Sequence, residues 1–185
     1  MDNKGDIGYM NNLIRLRVNY KNPSAYYEIA CFLRDYINKN FIIVCIGTDS
    51  NIVDSLGPLV GTILKDKNFP LPVYGTLDDP INSLNIDKKL NEIKSKYLES
   101  NILAVDACLG RKKTIGQIEA RNYSICPGEG VGKSLPCIGG CSILGITGLS
   151  DINDFVLLNK VKLGFVMNMA KIITDSIIQA YNFII

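Results

Sequence analysis

Short apolar runs alternate with amphipathic stretches along this chain, and that alternation restricts the folds that it can adopt. Residues 41–46 and 102–105 are continuous apolar runs, which is typical of strands that are covered on both faces of a sheet. Between these runs, apolar residues recur at helical spacing, at Ile86, Leu90, Ile93 and Tyr97. Strands that alternate with helices predict a mostly parallel sheet between helical layers, so we expect an α/β fold.

Other segments extend the same alternation. We predict further strands at 14–20, 72–77, 115–121 and 141–148, the third of them antiparallel. We predict further helices after Asn22-Pro23, from about 54 to 67 and from about 156 to 181. The length of 185 residues suits one domain with its own core, so we expect a single domain over residues 1–185. Within it, residues 1–21 form a polar arm and supply a candidate edge strand.

The absence of histidine removes several kinds of chemistry. No histidine occurs among the 185 residues, which excludes Ser-His-Asp and Cys-His catalysis and every metal site with a histidine ligand. The 20 basic and 18 acidic residues nearly balance, so neither nucleic acid nor an anionic membrane is expected as the main partner. Any catalysis must depend on Asp, Glu, Lys, Cys, Tyr or Ser.

The sequence predicts a cytoplasmic protein. Its first ten residues are polar and lack the apolar segment of a signal peptide. Charged residues interrupt the apolar stretch 155–185, which favours a buried amphipathic helix over a membrane span.

The six cysteines are expected to be reduced structural thiols, as is usual in the cytoplasm. Cys31 and Cys45 lie in apolar runs and are typical of core positions. The other four form no C-x2-C pair, and this spacing argues against structural zinc; they are Cys108, Cys126, Cys137 and Cys141. We therefore expect no bound metal and no cofactor.

Two segments place aspartates directly after buried strands. In the first, Cys45-Ile46-Gly47-Thr48-Asp49 continues through a polar loop to Asp54-Ser55-Leu56-Gly57-Pro58. In the second, the apolar run 102–105 ends at Asp106. Ligands of open parallel sheets bind beyond the carboxyl ends of the strands. We therefore expect Asp54 and Asp106 to face one crevice.

Each aspartate also has a purely structural interpretation. Asp49 or Asp54 suits the cap of the following helix, and Asp106 suits the cap of a turn. As a pair at one edge of the sheet, Asp54 and Asp106 favour a functional site. Two carboxyls in a cleft of low polarity share one proton, which provides an acid and a base for amide hydrolysis. The same carboxylates also suit a hard divalent cation.

A glycine-rich segment ends in Gly-Lys-Ser, as phosphate-binding loops do. It is Pro127-Gly128-Glu129-Gly130-Val131-Gly132-Lys133-Ser134. Its glycine spacing is one residue too short for that motif, and Pro136 follows where a helix would have to continue. We therefore expect a loop that borders the cleft. Gly128 and Lys133 are its candidate substrate-binding residues.

These three segments, in this order, resemble the YyaC-type sporulation protein family of spore-forming Firmicutes. The resemblance extends from about Asn22 to the C-terminus. That family is similar to the germination protease, which degrades small acid-soluble spore proteins, and more distantly to the hydrogenase maturation endopeptidases. The resemblance implies a three-layer αβα sandwich with a mostly parallel, phosphorylase/hydrolase-like sheet.

The resemblance also implies residue roles. Two aspartates of the germination protease are regarded as catalytic, one in a D-A-L-G-P stretch and one in an I-D-A stretch. Asp54 and Asp106 occupy those positions here, and Thr48 and Asp49 would shape the substrate loop. The hydrogenase endopeptidases use a histidine in nickel binding, which this chain lacks.

The function implied is a sporulation or germination peptidase with an aspartate dyad. Its substrate would be a protein or peptide, with small acid-soluble spore proteins as candidates, in the cytoplasm of the sporulating cell or spore. The alternative is a non-catalytic sporulation protein that binds a peptide or a metal in the same cleft. We expect no nucleic-acid or membrane partner, and the sequence leaves open whether the chain forms a homo-oligomer.

Overall fold

The computed structural model describes residues 6–10, 13–98, 101–127, 136–150 and 161–185. The strands in these ranges are β1 Asp6–Met10, β2 Leu13–Asn19, β3 Ile42–Cys45, β4 Val73–Tyr74, β5 Ile102–Gly110, β6 Gln117–Arg121 and β7 Cys141–Leu149. The α-helices are α1 Ala25–Arg34, α2 Leu56–Asp66, α3 Ile86–Lys96 and α4 Leu163–Ile184. The strands form one sheet in the order β1-β2-β6-β7-β5-β3-β4.

The sheet is mostly parallel, as the strand and helix pattern predicted. β4, β3, β5 and β7 are neighbours that run in the same direction. β6 is antiparallel to β7, and β2 is antiparallel to β6, so β2 again runs with the parallel group. Only β1 and β6 of the described strands run in the opposite direction. The α/β class is therefore confirmed, and so is an antiparallel strand within 115–121, although it begins only at Gln117.

Helices cover both faces of the sheet. α1, α2 and α4 pack against one face in the larger hydrophobic cluster, which takes Ile43 and Cys45 from β3. α3 packs against the other face in a second cluster, which takes the alternate residues Ile42 and Val44. Because successive side chains of β3 are buried on opposite faces, this strand is apolar throughout. Among the described residues, no helix has both the length and the apolar character needed to cross a membrane.

Two predicted boundaries differ from the structure for local reasons. α1 begins at Ala25, and its N-cap is Ser24. Asn22 instead holds a turn, since its side-chain oxygen accepts a hydrogen bond from the Ser24 backbone N–H at 3.1 Å. The strand predicted at 72–77 is only Val73–Tyr74, because Gly75 turns the chain with a φ of +84°.

β5 is longer than predicted. The sequence placed its end at Asp106, whereas the structure continues it to Gly110. Its two neighbours explain the difference, since pairing with β3 ends at Val105 while pairing with β7 continues to Gly110. α4 begins at Leu163, and the start predicted near 156 lies outside the described residues.

Candidate functional site

Asp54 follows β3 on a short turn at the carboxyl end of that strand. Gly47 leaves the strand with a φ of +141°, and residues 52–54 form a 3-10 turn. Asn51 caps this turn by accepting a hydrogen bond from the Val53 backbone N–H at 3.0 Å. α2 begins directly afterwards at Leu56. Asp54 is thereby half-buried beside the end of the strand.

Two glycines of the motif make this compact arrangement possible. A Cβ atom on Gly47 would overlap the carbonyl oxygen of Asp54, and one on Gly57 would overlap the backbone of Ile46. The Asp54 carbonyl also accepts a hydrogen bond from the Thr48 backbone N–H at 3.1 Å. The spacing of Gly47, Asp54 and Gly57 is therefore a requirement for folding the loop back onto the end of β3.

Asp106 lies in β5, the strand that pairs with β3 in parallel. It is the first residue beyond the β3 pairing, and it is still paired with Leu144 of β7. Its side chain is buried, with 9% exposure for the residue. One carboxylate oxygen accepts a hydrogen bond from the Ala107 backbone N–H at 2.8 Å. Both aspartates therefore lie at the same edge of the sheet, where β3 ends.

The two carboxyls are electrostatically linked. Burial raises the pKa of Asp54 to about 6. Burial also raises the pKa of Asp106 well above its usual range, the negative charge of Asp54 raises it further, and the Ala107 N–H partly opposes the increase. Both carboxyls therefore hold a proton to a higher pH than an isolated surface carboxyl does.

Neither aspartate of the pair caps a helix or a turn in the structure. The N-cap residue of α2 is Ser55, and no side chain forms a capping hydrogen bond there. Asn51, rather than Asp49 or Asp54, caps the 3-10 turn. Asp106 binds the N–H of the next residue within an extended strand, so it does not cap a turn.

The other predicted site residues have different outcomes. Thr48 lies in the loop before Asp54, where its hydroxyl is 2.8 Å from the Ser50 hydroxyl. Asp49 is exposed in the same loop. Gly128 and Lys133 lie outside the described residues, so their predicted place beside the cleft stays a prediction.

The cysteine prediction was wrong for one pair. Cys126 and Cys137 form a disulfide, because Ile125 and Ile138 pair as an antiparallel bridge and bring their neighbours together. The other four cysteines are free. Cys45 is fully buried, as predicted, whereas Cys31 is half-buried.

A buried ion-pair cluster on the same face of the sheet was not singled out from the sequence. Register places Asp106 opposite Leu144, Leu144 opposite Glu119, and Glu119 opposite Arg17. Glu119 is 2% exposed, and both Arg17 and Arg121 donate hydrogen bonds to its carboxylate. The sequence signal for this cluster is that arginines and a glutamate occupy alternate positions along the two strands that pair as β2 and β6. The two arginines satisfy the buried Glu119 carboxylate, and we assign the cluster a structural role.

Outside the aspartate pair, the described residues form a cavity but no cluster suited to a metal ion. The described part of the chain contains no group of three or more cysteine, aspartate or glutamate side chains placed to hold a metal ion. A cavity of about 220 Å³ lies at the other edge of the sheet, beside the first residue of β5 and the glycines before β7. It is lined in part by Lys94, Asn101 and Ile138. It is therefore separate from the aspartate pair.

Comparison with known proteins places the chain in a family. Residues 17–176 match the model of a family described as a protein of unknown function, DUF1256. The chain belongs to the DUF1256 family. A relative from Bacillus subtilis (strain 168), described as "Uncharacterized protein YyaC", is 36% identical over 182 residues, which cover 96% of this chain and 89% of the relative. The YyaC-type resemblance is thus confirmed, and the DUF1256 match spans both aspartates.

Proposed function

We propose that this DUF1256 protein is an atypical aspartic-type peptidase whose catalytic dyad is Asp54 and Asp106. The observation that carries the proposal is that both carboxyls are withdrawn from water at the carboxyl edge of the parallel strands β3 and β5, where the charge of Asp54 raises the pKa of Asp106. Ligands of such sheets bind at this edge. Two carboxyls that repel each other away from water are unfavourable for stability, and neither a surface salt bridge nor a helix cap would need such a pair.

The two raised pKa values suit different roles in one reaction. Asp106 is the more deeply buried carboxyl and is assigned the proton. Asp54, with a pKa of about 6, is assigned the ionised state at neutral pH. Its carboxylate would take a proton from a water molecule as the water oxygen attacks the peptide carbonyl carbon, while Asp106 donates its proton to the carbonyl oxygen. The C–N bond of the resulting gem-diol then breaks, Asp54 gives its proton to the leaving amine, and one gem-diol hydroxyl returns a proton to Asp106 as the product carboxylic acid forms.

The surroundings of the dyad suit a peptide substrate. The loop that carries Thr48 and Asp49 is exposed at the same edge, and we assign it to substrate contact together with Gly128 and Lys133. Similarity to the sporulation family supports a role in the cytoplasm of the sporulating cell or spore, with small acid-soluble spore proteins as substrates.

Cleavage of a small acid-soluble spore protein by the purified protein tests the proposal. Asp54→Asn and Asp106→Asn keep the side-chain shape but remove the acid, and each should lower cleavage about 100-fold or more. The double variant should be little worse than either single variant, because residues that act as one unit are not additive. Asp87→Asn is the matched control, since Asp87 is an exposed aspartate of α3.

The alternative function gives a different result in the same experiment. A wild-type protein that cleaves nothing, yet binds the spore protein equally well with and without the Asp54 carboxyl, would reject the peptidase proposal. Such a result would leave the alternative of a non-catalytic DUF1256 protein that binds a peptide.

A further inference from the structure

Thr147 makes a long-range contact with the turn that carries Asp54. It lies in β7 and is 1% exposed. Its hydroxyl donates a hydrogen bond to the carbonyl oxygen of Val53 at 2.7 Å, in a buried position. Val53 directly precedes Asp54, so this bond holds the backbone next to the carboxyl of the proposed dyad.

The strand is irregular at this residue. β5 and β7 pair Cys108 with Ile146 and then Leu109 with Gly148, so Thr147 is the residue that the ladder skips. A β-bulge of this kind changes the direction of a side chain and is common beside active sites. The bulge lies two to three residues beyond Asp106 on the paired strand. One local irregularity therefore connects the strand of Asp106 with the turn of Asp54.

The turn needs such support because it is short. Two backbone hydrogen bonds close the turn, from Asp54 N–H to Asn51 at 3.0 Å and from Ser55 N–H to Ile52 at 3.3 Å. Apart from the bond with Thr147, its other described hydrogen bonds also join residues close by in sequence. A 3-10 turn of three residues has poor hydrogen-bond geometry and little stability of its own. A buried hydroxyl bound to its middle carbonyl restricts where the following side chain can lie.

We propose that Thr147 is a positioning residue that fixes Asp54 beside Asp106 through the Val53 carbonyl. Its importance for catalysis rests on the proposed function, whereas its effect on the two carboxyls does not. Thr147 does not contact the reacting atoms. It would act only by holding the turn at the bulge of β7.

Substitution of the hydroxyl tests this role. Thr147→Val keeps the shape and removes the hydrogen bond, and Thr147→Ala removes it without pressing a methyl group against the carbonyl. Thr174→Val is the matched control, because Thr174 is also fully buried and its hydroxyl has no hydrogen-bond partner among the described residues. The readout is the titration of the Asp54 and Asp106 carboxyls, followed by carbon-detected NMR.

We expect both carboxyl pKa values to fall in the Thr147→Val and Thr147→Ala variants. The Asp54 pKa should move from about 6 toward its ordinary value, because the released turn exposes the side chain to water. Thr174→Val and Thr147→Ser should leave both titrations unchanged. If Thr147→Val does not fold, Thr147→Ala gives the answer.

Unchanged titrations in a folded variant without the Thr147 hydroxyl would overturn the positioning role, even if the variant were less stable. The outcome does not depend on peptidase activity. Altered titrations in a protein that cleaves nothing would support the positioning role and contradict only the proposed function.

Discussion

Replacing Asp54 with asparagine should stabilise the protein at high pH and leave its stability almost unchanged at low pH. In the folded state the Asp54 pKa is about 6, against an ordinary value of 3.8. The folded protein therefore binds more protons than the unfolded chain between these two values. Since the folded pKa is raised, the stability of the wild type falls as pH rises through this window. Asparagine carries no titrating proton and avoids that loss.

The size of the effect follows from the same two values. A difference of about 2 pKa units corresponds to about 3 kcal/mol. Asp54 is half-buried, so solvent screening reduces this figure, and we expect about 2 kcal/mol. Removing the Asp54 charge also lowers the raised pKa of Asp106, which acts in the same direction.

Urea denaturation of both proteins at about pH 4 and about pH 8 measures this effect. The free energy of unfolding of Asp54→Asn, minus that of the wild type, should rise by about 2 kcal/mol between the two conditions. A difference that is the same at both pH values would refute the reasoning, because it would mean that the Asp54 carboxyl is not held in a costly environment. Asp87→Asn, which changes an exposed aspartate, should show no such rise.

Two further predictions concern parts of the fold outside the dyad. Burial alone would raise the pKa of Glu119, but hydrogen bonds from its two arginine partners lower this pKa overall. The ionised Glu119 therefore stabilises the fold at neutral pH, and this stabilisation is lost as pH falls through the lowered pKa. Glu119→Gln should therefore lower the free energy of unfolding by about 2 kcal/mol at neutral pH and by less in acid, as measured by urea denaturation, and a penalty independent of pH would contradict this. The disulfide closes a loop between residues 11 apart in sequence, so a reducing agent should destabilise the wild type by about 2 to 3 kcal/mol. The double variant Cys126→Ser, Cys137→Ser should show that loss without the agent, and equal melting temperatures of oxidised wild type and double variant would count against the bond.

The elements that the sequence predicted well are those with strong local patterns. The apolar run before Asp54 is buried as predicted, and so are Ile86, Leu90 and Ile93 of the helical stripe, whereas Tyr97 is half-buried just after the end of α3. Both candidate aspartates were recognisable because each follows a buried run. Their shared edge then follows from the parallel pairing of β3 and β5.

What the sequence did not reveal depends on contacts between distant residues. The hydrogen bond from Thr147 to Val53 joins residues 94 positions apart, and no local pattern marks it. The extension of β5 beyond Asp106 depends on β7, which continues as its partner after β3 has ended. The disulfide was missed because cysteine spacing along the chain says nothing of the antiparallel bridge between Ile125 and Ile138.

The titration of Asp106, measured by carbon-detected NMR in the wild type and in Asp54→Asn, tests the central claim most directly. If the two carboxyls form a dyad, Asp106 should titrate well above its ordinary pKa in the wild type, and its pKa should fall when the Asp54 charge is removed. The control variant Asp87→Asn should leave the Asp106 titration unchanged. An Asp106 pKa that is ordinary in the wild type, or equal in the wild type and Asp54→Asn, would contradict the existence of the dyad.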